Sequence, residues 1–226
     1  MKIYAVDYGE QHCGIAVSDD NIKIAVPKDT VKTVDLQSYF QKLELKKNSI
    51  VVFGLPISLS GRYSKQTCLT IDAAIKLKKT VECKIFFVDE RLTTSSLYNE
   101  FKGKVSSKKI KLSKDQNSSV LILSIFLSNT KNAIELEEKR IFELPEDFSN
   151  YKDILIYDTA LNLSLEKENI SIFARDPWIF WFYCTKNIKS TSLISDLKNY
   201  YDLVILENNK KDEFNQIINF SKIMCL

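Results

Sequence analysis

The sequence predicts an α/β chain. It reads as a mixed β-sheet flanked by helices over residues 1–138, a linker over 139–150, and a small α/β unit over 151–226. Three observations predict this. Apolar stretches near the start are joined by links too short for a crossover, which favours an antiparallel meander. Helical and strand-like segments then alternate, the pattern of a partly parallel sheet. Finally, "NAIELEEKRIFELPEDFSNYKD" is charged, carries Pro145, and is followed by a fresh apolar strand.

The opening stretch "IYAVDYGEQHCGIAVSD" supplies strands at Ile3–Asp7 and Gly14–Ser18, and a third is expected at Ile22–Val26. A helix over Leu36–Leu45 places Leu36, Tyr39, Phe40 and Leu43 on one face. "SIVVFGLP" is a continuous apolar run stopped by Gly54 and Pro56, as in a strand buried on both faces. "KQTCLTIDAAIKLKK" reads as a helix with Leu69, Ala73 and Leu77 on its apolar side, and "KIFFVDE" as another buried strand. Helices are expected over Thr94–Phe101 and, past a lysine-rich link, over Lys114–Ser128. In the last part "ILIYD", "ISIFA" and "DLVILE" read as strands, with helices over Pro177–Cys184, Leu193–Tyr200 and Asp212–Ile223.

The composition narrows the function classes. Apolar residues make up 45% of 226, enough for a core, and no apolar run is long enough to cross a bilayer. "MKIYAVDYG" lacks the pattern of a secretory signal, so a cytoplasmic protein with no membrane partner is expected. The five cysteines include no C-x-x-C pair and read as reduced thiols. His12 is the only histidine, which argues against a zinc site. Residues 1–140 carry 23 Lys and Arg against 16 Asp and Glu; residues 141–226 carry 9 against 13. The basic first part suits an anionic partner such as nucleic acid.

Three acids stand at the ends of different elements. Asp7 closes the first strand, either as a turn residue or as a carboxylate held rigidly at the sheet edge. Asp89 and Glu90 follow the strand "KIFFV"; neighbours on a strand face opposite ways, so only one can share a side with Asp7 unless the strand has already ended, and Glu90 is favoured. The same pair also suits a helix entrance. Arg91 beside them can pair with a phosphate or a carboxylate. Asp115 lies in the first turn of a helix that Ser113 and Gln116 would start as a capping box. Ser118, Ser119, Ile122 and Phe126 share its face, and the hydroxyl residues would let that helix lie close to the sheet. A helix dipole alone also favours an acid at 115. Carboxylates brought together repel unless a cation sits between them, and Mg²⁺ takes oxygen ligands. Two such ions about 4 Å apart can activate water against a phosphodiester.

"VDYGEQHCGIAVSD", "VVFGLPISLSG", "VDERLTT" and "KDQNSSVLILSIFL" resemble, in order, the motifs of the YqgF/RuvX family over residues 1–130. The resemblance implies a ribonuclease H-like fold. It implies a Holliday junction resolvase, or a nuclease maturing the 5′ end of pre-16S ribosomal RNA. It also implies Asp7, Glu90 and Asp115 as catalytic acids binding Mg²⁺ or Mn²⁺, and pre-rRNA or the small ribosomal subunit as partner. The chain departs from the family at Gln11-His12, usually Lys-Arg; at Ser60, commonly aspartate; and at Ser118-Ser119, usually Ala-Ala. None of these removes a proposed ligand, though the absence of the basic pair weakens phosphate binding.

Other basic residues can compensate. "FKGKVSSKKIKLSK" carries Lys102, Lys104, Lys108, Lys109, Lys111 and Lys114, and reads either as a nucleic-acid track or as a solvated loop. Arg62 and Lys65 precede or open a helix, where a phosphate could be held. The aromatic "FARDPWIFWFYC" reads as a packed helix in an acidic segment rather than a base-stacking surface. Its unit would shape substrate access or mediate a homodimer. Three function classes compete: a metal-dependent nuclease, a non-catalytic nucleic-acid-binding module, and an ATP-using enzyme of the sugar kinase and actin type. The last needs a second Asp-x-Gly motif, which the sequence lacks.

Overall fold

β1 (Lys2–Tyr8) and β2 (His12–Asp19) form an antiparallel hairpin. Its turn is tight: the Gly9 N–H donates to the His12 carbonyl at 3.2 Å, and a β-carbon at Gly9 would lie 2.5 Å from that oxygen. The computed structural model describes residues 1–19, 23–43, 45–93, 114–143, 150–163, 169–214 and 217–226. The helix expected over Thr94–Phe101 lies outside the described residues.

The chain divides into two compact units, Met1–Leu59 with Ser64–Leu136, and Ser60–Tyr63 with Glu137–Leu226. In the first, β3 (Val26–Lys32) follows β2, β4 (Ile50–Leu55) and β5 (Lys84–Asp89) run parallel to β1, and β6 (Ile134–Glu135) closes the far edge. The order is β3-β2-β1-β4-β5-β6. Of the third strand expected at Ile22–Val26, residues 23–25 are not extended in the sheet, and the strand begins at Val26. Residues 26–32 alternate between exposed and half-buried on the sheet edge, where Pro27 costs little.

α1 (Leu36–Lys42) is shorter than expected and buries Leu36 and Phe40. α2 (Lys65–Lys78) starts at a capping box between Ser64 and Thr67. Its buried face is Cys68, Ile71, Ala74 and Ile75 together with Leu77, not Leu69, which is 37% exposed, or Ala73. The four-residue spacing of Leu69, Ala73 and Leu77 identifies the helix but points to a stripe rotated from the one it buries. α3 (Lys114–Ser128) lies on the sheet, with Ile122, Leu123, Ile125 and Phe126 packed on Ile3, Ala5, Ala16, Val52 and Val88. Ser119 is fully buried.

In the second unit, β7 (Ile141–Glu143), inside the segment read as a linker, pairs with β9 (Ala160–Asn162). β8 (Ile154–Tyr157), β10 (Ile170–Phe173), β11 (Tyr200–Leu206) and β12 (Asn219–Cys225) form a parallel sheet in the order β10-β8-β11-β12. The aromatic segment is α4 (Pro177–Thr185), with Asp176 as N-cap and Trp178, Phe180, Phe182 and Tyr183 buried. The Tyr183 hydroxyl donates to the Thr159 carbonyl at 2.8 Å and accepts from the Leu161 N–H at 2.9 Å. The helix expected over Leu193–Tyr200 is a 3₁₀ turn, Ile194–Asp196, followed by β11. Of the helix expected over Asp212–Ile223, the first part is α5 (Lys211–Phe214), whereas its last part belongs to β12. There a partner strand decides, since the backbone of 219–225 completes the edge of β11. All five cysteines are free. No helix among the described residues is long and apolar enough to cross a membrane.

Candidate functional site

The site is built where β1, β4 and β5 end. Ile3 and Ala5 of β1 pack against α3, so by the two-residue period Asp7 falls on that same face. Its partner across the hairpin is Gly14, which sets no side chain beside it. On the other flank, the pairing of Val6 with Phe53 brings Gly54 alongside Asp7. Asp7 therefore ends a rigid strand between two glycines and is half-buried.

Glu90 arrives from the far side of β4. It opens the 3₁₀ turn Glu90–Thr93 directly after β5, two residues beyond Val88, which also faces α3. To approach Asp7 its side chain must lean across β4, and Gly54 makes the room. A β-carbon at Gly54 would lie 2.4 Å from Glu90 Oε1 and 2.4 Å from Ile122 Cδ1. The sequence marks Gly54 as a strand-end glycine within the motif "VVFGLPISLSG", but not as the gap between the two acids. Its role appears only once β4 is seen to run between the two acids.

Burial pushes the Glu90 carboxyl up to about 7, and the negative charges of Asp7 and Asp89 push the same way. Asp89 faces a different partner: the Arg91 guanidinium grips its carboxylate, with Nε at 3.0 Å from both oxygens and Nη2 at 2.6 Å from Oδ2. So of the two strand-end acids, Glu90 couples to Asp7 while Asp89 is occupied by Arg91. The end of β1 is also tied to α2, where Gln66 Nε2 donates to the Tyr8 carbonyl at 3.2 Å.

Asp115 lies in the first turn of α3, the helix that packs on β1 and β4; its side chain is outside the described residues. Among the described residues no group of three His, Cys, Asp or Glu gathers at one point. Lys65 is the exposed first residue of α2. Arg62 belongs to the second unit and is paired with Asp196. Lys108, Lys109 and Lys111 lie outside the described residues.

The donors brought together are carboxylate oxygens, hard ligands of the kind Mg²⁺ and Mn²⁺ accept. A carboxyl raised by burial and by like-charged neighbours is one that a divalent cation would return to its ionised form. The residues present therefore fit a hard cation.

Fold and site together define a nuclease-like α/β domain. Its three antiparallel strands continued by two parallel ones, with acids at the carboxyl ends of β1 and β5, are the ribonuclease H-like arrangement. The profile of the family described as "RuvX: Holliday junction resolvase" matches residues 1–129, and the chain belongs to that family. A Thermotoga maritima protein provisionally named a pre-16S rRNA nuclease is 28% identical over 230 residues, covering 99% of this chain and 94% of its own length. A Rickettsia typhi protein of the same name is 34% identical over 137 residues, covering 59% of this chain and 86% of its own. The first of these alignments runs through both units. Among solved structures, Thermus thermophilus RuvC in complex with a Holliday junction covers 60% of this chain and 99% of its own, at 12% identity and a TM-score of 0.42.

Proposed function

We propose that this chain is a divalent-metal-dependent nuclease that hydrolyses phosphodiester bonds in structured RNA, maturing the 5′ end of the 16S rRNA precursor. The observation that carries the reading is the coupling of Glu90 to Asp7 across Gly54, in a chain of this family. The names of its relatives support the RNA substrate.

Asp7, Glu90 and Asp115 would hold Mg²⁺ or Mn²⁺. Such an ion, when bound, lowers the pKa of water and offsets charge on the leaving oxygen. Asp7 would be the fixed ligand, because β1 is paired with β2 on one side and β4 on the other. Glu90 adapts, since its carboxyl sits on a turn and its protonation lies near neutrality. Arg91 keeps Asp89 engaged, leaving Glu90 as the strand-end acid directed to the site. Lys65 and the lysines at 108, 109 and 111 would follow the phosphate backbone.

The test is cleavage of a 5′-extended 16S precursor transcript by purified protein with Mn²⁺. Asp7→Asn should abolish cleavage while leaving the thermal melt within a few degrees of the parent. A clean preparation of that variant cutting at the parental rate would reject the mechanism. The family description favours a second substrate, a DNA four-way junction. Cells depleted of the protein separate the two: extended 16S 5′ ends mark the RNA, and normal ends with a recombination defect mark the junction.

A further inference from the structure

The stretch Ser60–Tyr63, which follows β4 a few residues after Gly54, is seated in the second unit. Its seat is specific. Ser192 Oγ accepts from the Tyr63 N–H at 2.9 Å and donates to the Gly61 carbonyl at 3.0 Å. The Tyr63 ring meets Phe180 edge-on at 5.1 Å, and its hydroxyl donates to the Arg175 carbonyl at 2.8 Å. Gly61 takes a φ of 92°, a conformation natural to glycine, and so turns the chain toward Arg62.

Arg62 then makes a two-pronged pair with Asp196: Nη2 donates to Oδ1 at 2.8 Å and Nη1 donates to Oδ2. Thr191 Oγ1 donates to Oδ2 of the same carboxylate at 2.6 Å. Thr191 itself is anchored by backbone bonds, its N–H to the Ile172 carbonyl at 2.9 Å and its carbonyl to the Ala174 N–H at 2.8 Å. These hydrogen bonds, aided by the charges of Arg62 and Lys189, hold the Asp196 carboxyl below its usual range. The carboxylate thus sits in a nest of one guanidinium, one fixed hydroxyl and a nearby ammonium.

We propose that this nest is a phosphate site for the nucleic-acid backbone, and that Asp196 is its resident stand-in, masking Arg62 until substrate displaces it. A guanidinium fork accepts a phosphate in the same geometry as a carboxylate. The pair is solvent-exposed, with 52% of the Arg62 side chain accessible, so exchanging one anion for another sacrifices little. The inference rests on the nucleic-acid reading above.

The experiment is fluorescence anisotropy with the full chain and a labelled structured RNA, in EDTA so that no cleavage occurs, across a salt series. Asp196→Asn should tighten binding about three- to tenfold. It should also steepen the log–log salt dependence by about 0.7–0.9, the value of one additional neutralised phosphate. Asp196→Ser is run beside it, so that a folding defect in one variant does not decide the result. Adding Arg62→Ala should erase the gain. Asp212→Asn, which removes an exposed charge elsewhere on the unit, should show less than half of it. Unchanged or weaker binding by both Asp196 variants, an equal gain from Asp212→Asn, or a gain that survives Arg62→Ala would overturn the proposal while leaving the nuclease reading in place. A parent protein that neither binds nor cuts RNA removes both.

Discussion

Glu90 shows how one residue records its surroundings. Its carboxyl titrates near 7 because burial and the charges of Asp7 and Asp89 all disfavour ionisation. An unfolded glutamate ionises near 4.3, so between roughly pH 4.5 and 7 the folded chain holds a proton that the unfolded chain has released. Metal-free protein should therefore lose stability as pH rises through that window, on the order of 3 kcal/mol, and level off above it. Glu90→Gln should flatten the slope. Chemical denaturation in EDTA from pH 4.5 to 8 measures both, and parallel curves for parent and variant would exclude the coupling. The strand-end position of Asp7 and Glu90 is legible from the sequence, because an apolar run ending in an acid has few other meanings. Their coupling is not, because 83 residues separate them and neither marks the other.

At the scale of elements the decisive packing is that of β4 under Glu90 and α3. A side chain at residue 54 collides with Glu90 Oε1 and Ile122 Cδ1 at once, one from the turn after β5 and the other from α3. Gly54→Ala should displace the Glu90 carboxyl and turn the Ile122 side chain aside. Overpacking of this kind costs about 1–3 kcal/mol. Cleavage should fall at least tenfold, with a melting temperature lower by only a few degrees; full activity would show that Glu90 need not reach across β4. Elements themselves are mostly readable where periodicity is strong. Long apolar runs or helical stripes identify β4, β5, α3 and α4. β3 and β12 escape such a reading, being edge strands with half-exposed, polar-rich sequences whose state is set by the neighbour they pair with.

The whole molecule joins a basic N-terminal half to an acidic C-terminal one. If the lysines at 108, 109 and 111 follow the RNA backbone, replacing all three by alanine should reduce the salt slope of RNA binding by about 2, at about 0.7 for each single-strand phosphate left unneutralised. Affinity should fall at low salt and converge with the parent at high salt. An unchanged slope would assign those residues to a solvated loop. The division into units is visible as a change in composition, but its detail is not. Ser60–Tyr63 belongs with residues more than a hundred positions away, and a segment read as a linker supplies β7.

By itself the sequence determined the α/β class, the order of motifs, the family resemblance and the acids at strand ends. All of these are local in the chain, written in periodicity, composition and short spacings. Only the tertiary structure decided that Gly54 opens the space between Asp7 and Glu90, that Arg91 takes Asp89, and that Arg62 is already holding a carboxylate. Each of those depends on which strands lie side by side and on what a loop meets when it returns. Side-chain chemistry is carried by single residues, whereas proximity is created by folding.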